Sequence, residues 1–226
     1  MNRTTRWITI AALGVAVLGC ASEPKPQTQA WPPLKVPGFL GDYSMLKPEK
    51  DANGEEVMRY VNPKLAPGGP YRQLLIDAAQ FYPAAQPSEY VDAKTFNDVR
   101  NYVDVQMRNK LGAKVPLASQ PGPGVVRVRT AITSVDTQSA EFKVYEVLPV
   151  SMVYSLIRGR GKEGLLGIEV EMLDSQTGER LGAAVRHGTS DRFRGRDEKL
   201  TLEQLKPVLD EWTAAGAQFV AEKFPK

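Results

Sequence analysis

The residue pattern predicts an α+β domain, with an antiparallel sheet of about four strands, helices packed on its apolar face, and the other face in water. Three observations predict it. Phe96, Val99, Val103, Met107 and Leu111 step by three or four, as on one face of a helix. Val126, Val128 and Ile132, and again Ile168, Val170 and Met172, alternate with charged residues, as in a strand with one wet side. Asp174-Ser175-Gln176-Thr177-Gly178 is a turn joining two such runs.

Ahead of the domain stands a segment of different character. Arg3 and Arg6 precede an apolar stretch, Ile8 to Leu18, which ends in Leu18-Gly19-Cys20. A positive start and a short apolar core make a secretion signal, and a span of the bilayer needs about 20 apolar residues, more than this run has. Leu18-Gly19-Cys20 matches a lipoprotein cleavage site. Cys20 is the sole cysteine of the chain and is the expected lipidation site. Residues 1–19 are thus expected to be cleaved, leaving 207 of the 226 residues (226 minus 19). Ala21, rather than an aspartate, follows the cysteine and favours the outer membrane, facing the periplasm. Residues 20–37 carry Pro24, Pro26, Pro32, Pro33 and Pro37 and read as an extended tether. Residues 38–226 read as a single periplasmic domain.

The whole-chain charge of +3 includes Arg3 and Arg6, so the mature chain is near neutral. That balance, and the lack of a basic patch interleaved with aromatics, argue against nucleic acid as a partner. With Cys20 lipidated, no thiol is left to form a disulfide, and the core alone must hold the fold.

From residue 38 to Gly69 the pattern is weak. Phe39-Leu40-Gly41-Asp42-Tyr43 and Met58-Arg59-Tyr60-Val61 are apolar punctuation expected to dock on the domain. Leu74, Ile76 and Ala78 alternate and predict a strand. Asp92 is placed to cap the helix that follows, and Gly112 to end it. In the hairpin, a four-residue loop from Ser175 to Gly178 pairs residues whose numbers sum to 353. Met172 then faces Leu181, Val170 faces Ala183 and Ile168 faces Val185, all on one side, with Glu169 diagonal to Arg186 on the wet side. Near the C-terminus, Pro207 lacks the donor that a helix ladder needs. It is expected to open a helix, with Thr201–Lys206 as a turn before it. Trp212 is that helix's largest packing element. Phe142 to Ile157 is uniformly apolar, and reads either as buried core or as an exposed surface for a partner.

Catalytic chemistry is sparse. His187 is the sole histidine, and Ser190, Asp191 and Asp210 could complete a hydrolase set with it, but no G-x-S-x-G elbow surrounds any serine. Glu169 and Glu171 share a strand face, where two alternating charges are ordinarily solvated. Histidine and cysteine are too few for a zinc site, no acidic run has the spacing of a calcium loop, and no motif predicts a cofactor. The basic glycine-rich run Arg158–Gly164 could hold an anion, although it lacks the phosphate-loop pattern.

The Cys20 motif, Phe39–Tyr43, the Tyr71–Tyr82 strand, the Ile168–Glu179 hairpin and the Trp212 helix together resemble bacterial lipoproteins of domain-of-unknown-function family 3313. The resemblance implies a location and an approximate fold, and it brings no catalytic residue. The leading expectation is a non-enzymatic lipoprotein held to the membrane through Cys20, binding or scaffolding an envelope partner. The second is a carrier or sensor of a small envelope ligand. The third is a hydrolase using His187.

Overall fold

The computed structural model describes residues 38–51, 53–137, 163–192 and 199–224. Cys20 with its signal and tether, the Phe142–Ile157 stretch and the Arg158–Lys162 part of the basic run lie outside these residues. The strands are β1 (Lys47–Lys50), β2 (Glu56–Val61), β3 (Gln73–Ile76), β4 (Gln80–Phe81), β5 (Val125–Thr137), β6 (Glu163–Asp174) and β7 (Arg180–Arg192). The helices are α1 (Ala93–Gly112) and α2 (Leu202–Lys223).

All seven strands belong to one sheet, in the order β1-β2-β7-β6-β5-β3, with β4 also paired to β5. The sheet is mixed, and larger than the expected antiparallel set of about four. β3 and β4 run parallel to β5; the remaining pairs are antiparallel. The parallel pairing follows from connectivity, because the chain leaves β4, passes through α1 and returns in β5, the long crossover that parallel neighbours need. β1 and β2 come from the weakly patterned stretch after residue 38. Their pairing depends on β7 offering its edge, Met58 lying opposite Val185 and Tyr60 opposite Ala183.

The α1 pattern is realised as read. The Asp92 side chain accepts a hydrogen bond from the Thr95 N–H at 2.8 Å, and Phe96, Val99, Val103, Met107 and Leu111 are buried. Gly112 is the last helical residue, and the next one, Ala113, keeps right-handed helical angles (φ −67°). The reason for glycine there is space, since a Cβ would stand 3.2 Å from Leu117.

α2 departs from expectation. It starts at Leu202 and carries Pro207 inside it. The missing ladder bond falls within the first two turns, and the start is anchored in other ways. The Gln204 side chain accepts from the Thr201 N–H at 2.8 Å and from its hydroxyl at 2.9 Å, and Leu205 is fully buried. The helices are pinned together by Asp210, which accepts from the Tyr102 hydroxyl at 2.9 Å and from Lys110 Nζ at 3.1 Å. Gly188 admits α2 to the sheet, because a Cβ there would meet the Trp212 ring at 2.8 Å and Val208 at 2.9 Å.

The hairpin forms with the expected turn. Asp174 Oδ1 accepts from the N–H groups of Gln176 (2.9 Å) and Thr177 (2.8 Å), and Gly178 takes positive φ (73°). Its register differs from the one expected. Leu173 faces Arg180, a sum of 353, but Met172 faces Gly182, Val170 faces Ala184 and Ile168 faces Arg186, sums of 354. Leu181 is the extra residue of a β-bulge, and beyond it every β7 side chain changes face. Ala183 and Val185 therefore leave the helix-covered core and join Leu40 and Met58 in a second apolar cluster on the opposite face. Arg186 moves the other way, so the expected Glu169–Arg186 contact is absent.

Candidate functional site

The face expected to be wet is covered. Residues 38–46 form a strap across it, with Phe39, Tyr43 and Leu46 packed against the second cluster. The strap turns at Gly41 (φ 71°), and Gly38 leaves room for the Tyr43 hydroxyl, which would lie 1.9 Å from a Cβ. Glu169 and Glu171 are 6% and 5% exposed, and each carboxylate is engaged. Glu169 Oε2 accepts from the Tyr43 hydroxyl at 2.5 Å and from the Leu40 N–H at 3.2 Å. Burial holds its carboxyl above the usual range, against the pull of those two donors. Burial and the Glu169 charge together push the Tyr43 phenol upward. Glu171 lies between two arginines, Arg129 at 2.8 Å and Arg180 at 2.7 Å. Arg180 also donates to the carbonyls of Leu40 (2.5 Å) and Asp42 (2.8 Å), and the Arg129 guanidinium lies 4.9 Å from the Phe39 ring centre. This arrangement secures a backbone segment. Its acidic groups are consumed in holding the strap, which leaves no free acid/base pair. Phe39–Tyr43 docks on the domain as expected, but the Tyr43 hydroxyl and Arg180 were not singled out from sequence as its fastenings. The alternating Arg127/Arg129 and Glu169/Glu171 on neighbouring strands were the legible signal that a charged layer would form.

His187 follows Val185 by alternation and so shares the strap face. Both ring nitrogens are buried and lack a hydrogen-bond partner among the described residues, and burial lowers the ring to about 4. A catalytic histidine would have one nitrogen on a hydroxyl and the other on an orienting acceptor. Asp210, offered by sequence as a possible third member, is bound to Tyr102 and Lys110 instead. Ser190 and Asp191 continue β7. Among the described residues, no group of three or more His, Cys, Asp or Glu is placed to hold a metal ion, and no helix is long and apolar enough to cross a membrane.

On the opposite face, α2 and the sheet leave a cavity of ≈ 100 Å³. Its walls are apolar, including Met107, Ile168, Trp212 and Val220, and its charged lining residues are Arg59 and Arg186. Arg186 is 7% exposed and pairs with Asp51 at 2.6 Å, while its Nη1 is buried without a hydrogen-bond partner among the described residues. Glu211 lies close to this pair. Burial raises its carboxyl, as do the nearby charges of Glu55 and Asp51. Burial lowers the Arg59 guanidinium, which pairs with Glu49 at 3.5 Å.

The family model for a protein of unknown function, DUF3313, matches residues 35–215. The chain is 31% identical over 227 residues to an uncharacterized lipoprotein, YdcL, of Escherichia coli strain K12, covering 98% of this chain and 99% of that one. Among solved structures, it is similar to a PelC dodecamer from Paraburkholderia phytofirmans (TM-score 0.40, 14% identity, 74% of this chain and 95% of that one). It is also similar to the hypothetical protein CT253 from Chlamydia trachomatis (TM-score 0.39, 8% identity, 66% and 98%). At those TM-scores nothing about assembly or activity transfers. A match over most of the chain, with a relative alike from end to end, makes this chain a member of the DUF3313 family of proteins of unknown function.

Proposed function

We propose that the protein is a lipid-anchored binding component of the cell envelope, held through Cys20 in the outer membrane and facing the periplasm. The observation that carries this reading is the strap. It begins directly after the proline-rich residues 20–37, and it is secured to the centre of the sheet by Glu169, Glu171 and Arg180 through both its backbone and the Tyr43 hydroxyl. A tether joined to a membrane loads the first folded residues, and a buried, charge-assisted joint resists that load better than an exposed one. The family relative, a lipoprotein alike over its full length, supports the same reading.

The role proposed is binding rather than catalysis, because the buried acids serve the strap and the cavity under α2 offers apolar walls with two guanidinium groups. Labelling cells with radioactive palmitate and separating their membranes on a density gradient tests the anchor. Wild-type protein is expected to carry label and to band with the outer membrane, and Cys20→Ser to carry none. Label retained by Cys20→Ser, or wild-type protein banding with the inner membrane, would refute it.

A further inference from the structure

We propose that the cavity between α2 and the sheet binds the tail of a single-chain amphiphile with an anionic head, the head group resting against Arg59. The inference deepens the binding reading above and rests on it. Three independent features of the cavity point the same way.

The first is Gly216. It lies inside α2, where glycine is the least favourable residue after proline, and it lines the cavity. A Cβ at Gly216 would meet nothing within 4 Å. No neighbour excludes a side chain there, in contrast to Gly188, where the Trp212 ring does. What the glycine preserves is the empty space itself. Across the cavity the β7 residues are also small, Gly182 and Ala184.

The second is the lining. Cavities with apolar walls accept apolar guests; one of about 150 Å³ takes benzene. A cavity of ≈ 100 Å³ accommodates the end of an alkyl chain and not a bulky ring system.

The third is the charge at the rim. Arg59 and Lys223 both approach the Phe219 ring, at 5.1 and 5.6 Å from its centre. Among the described residues, the one carboxylate within ion-pair distance of Arg59 is that of Glu49, at a long 3.5 Å, where the acid is about half exposed and the arginine 18% exposed. Such a pair is weak and readily exchanged. Of the two other acids near Arg59, Asp51 is committed to Arg186 at 2.6 Å, and Glu222 accepts from Gln218 Nε2 at 3.4 Å. Phe219 thus carries two cations beside an apolar opening, which suits a carboxylate or phosphate head joined to a hydrocarbon tail.

The test uses the full chain in phosphatidylcholine nanodiscs and a decanoic acid probe carrying a photoreactive diazirine near the end of its tail. After irradiation, peptide mapping is expected to find label on residues 216–220 and 182–186. Decanoate and decyl phosphate should compete at about tenfold lower concentration than decanol, the worth of one charge-assisted contact. The better competitor of the two assigns the head group, a fatty acid or a phosphate ester. Gly216→Leu should abolish the label with no loss of thermal stability, and Gly216→Ala should reduce it. Arg59→Gln, which leaves the cavity volume alone, should erase the preference for the acids over decanol. Label absent from both segments, label undiminished in Gly216→Ala and Gly216→Leu, or decanol competing as well as decanoate would overturn the proposal. Repeating the labelling on Cys20→Ser protein free in solution separates a failed anchor from a failed ligand site, because label there requires the cavity and not the lipid on Cys20.

Discussion

The two faces of the sheet are covered by opposite means. On one face, α1 and α2 bury a continuous apolar core in which Leu74, Val99, Leu166, Leu205 and Leu209 are 0–1% exposed. On the other, a nine-residue strap, residues 38–46, covers a small apolar cluster and a charged layer. The helix face is stabilised by area, at about 25 cal/mol per Å² removed from water, with no demand on direction. The strap is too short to bury much area and relies on a few directional bonds among buried charges. Such bonds are costly to break singly, because the partner left behind stays buried and unpaired. The helix face should therefore tolerate conservative repacking, and the strap face should not tolerate loss of the Glu171 charge, which two arginines share.

The largest expected effect tests whether the two means are independent. Trp212→Ala on the helix face should cost about 3–5 kcal/mol in denaturant unfolding. Glu171→Ala on the strap face should cost about 2 kcal/mol, since Arg129 and Arg180 lose their shared carboxylate while Arg180 keeps the Leu40 and Asp42 carbonyls. The costs should add in the double variant to within about 0.5 kcal/mol; strong non-additivity would show that the two coverings fold as one unit.

The pH dependence sharpens the contrast within the strap face. His187 has a folded value of about 4 against 6.5 unfolded, so the unfolded chain binds the extra proton between those limits. Stability is complete above pH 6.5 and falls as pH drops toward 4, by about 2 kcal/mol from pH 7 to pH 5. Glu169 acts in the opposite sense. Its folded value lies above its unfolded one, so its contribution is present at low pH and is lost as pH rises through the folded value. Unfolding curves of His187→Phe should show a much flatter acid limb. Those of Glu169→Gln, which keeps an acceptor for Tyr43 and Leu40, should show equal or greater stability at pH 7. An unchanged acid limb in His187→Phe would remove His187 as the cause.

The smallest effect isolates the strap. Tyr43→Phe removes one hydrogen bond to Glu169 and should cost about 1–2 kcal/mol. Amide exchange should be faster at residues 40–46 and unchanged in α1. Uniformly faster exchange would mean that the strap is integral to the core.

Elements whose signals are local could be read directly from the residues. The α1 face, its Asp92 cap, the alternation in β5 and β6 and the Asp174–Gly178 turn depend on neighbours within a few residues, and periodicity and turn chemistry report such neighbours directly. Tertiary structure decided what depends on distant partners. Leu181 became a bulge because β2 pairs with β7 beyond it and the strap supplies an apolar cluster for Ala183 and Val185. Glu169 and Glu171 look like wet-face charges until residues 38–46, more than 120 positions away, cover them. The polar alternation was legible, but its partners were not, because a lone charged residue in a strand has the same pattern whether water or an arginine meets it. Gly216 is the clearest case. In sequence it is one more small residue on an apolar stripe, and only the empty space beside it in the folded chain gives it meaning.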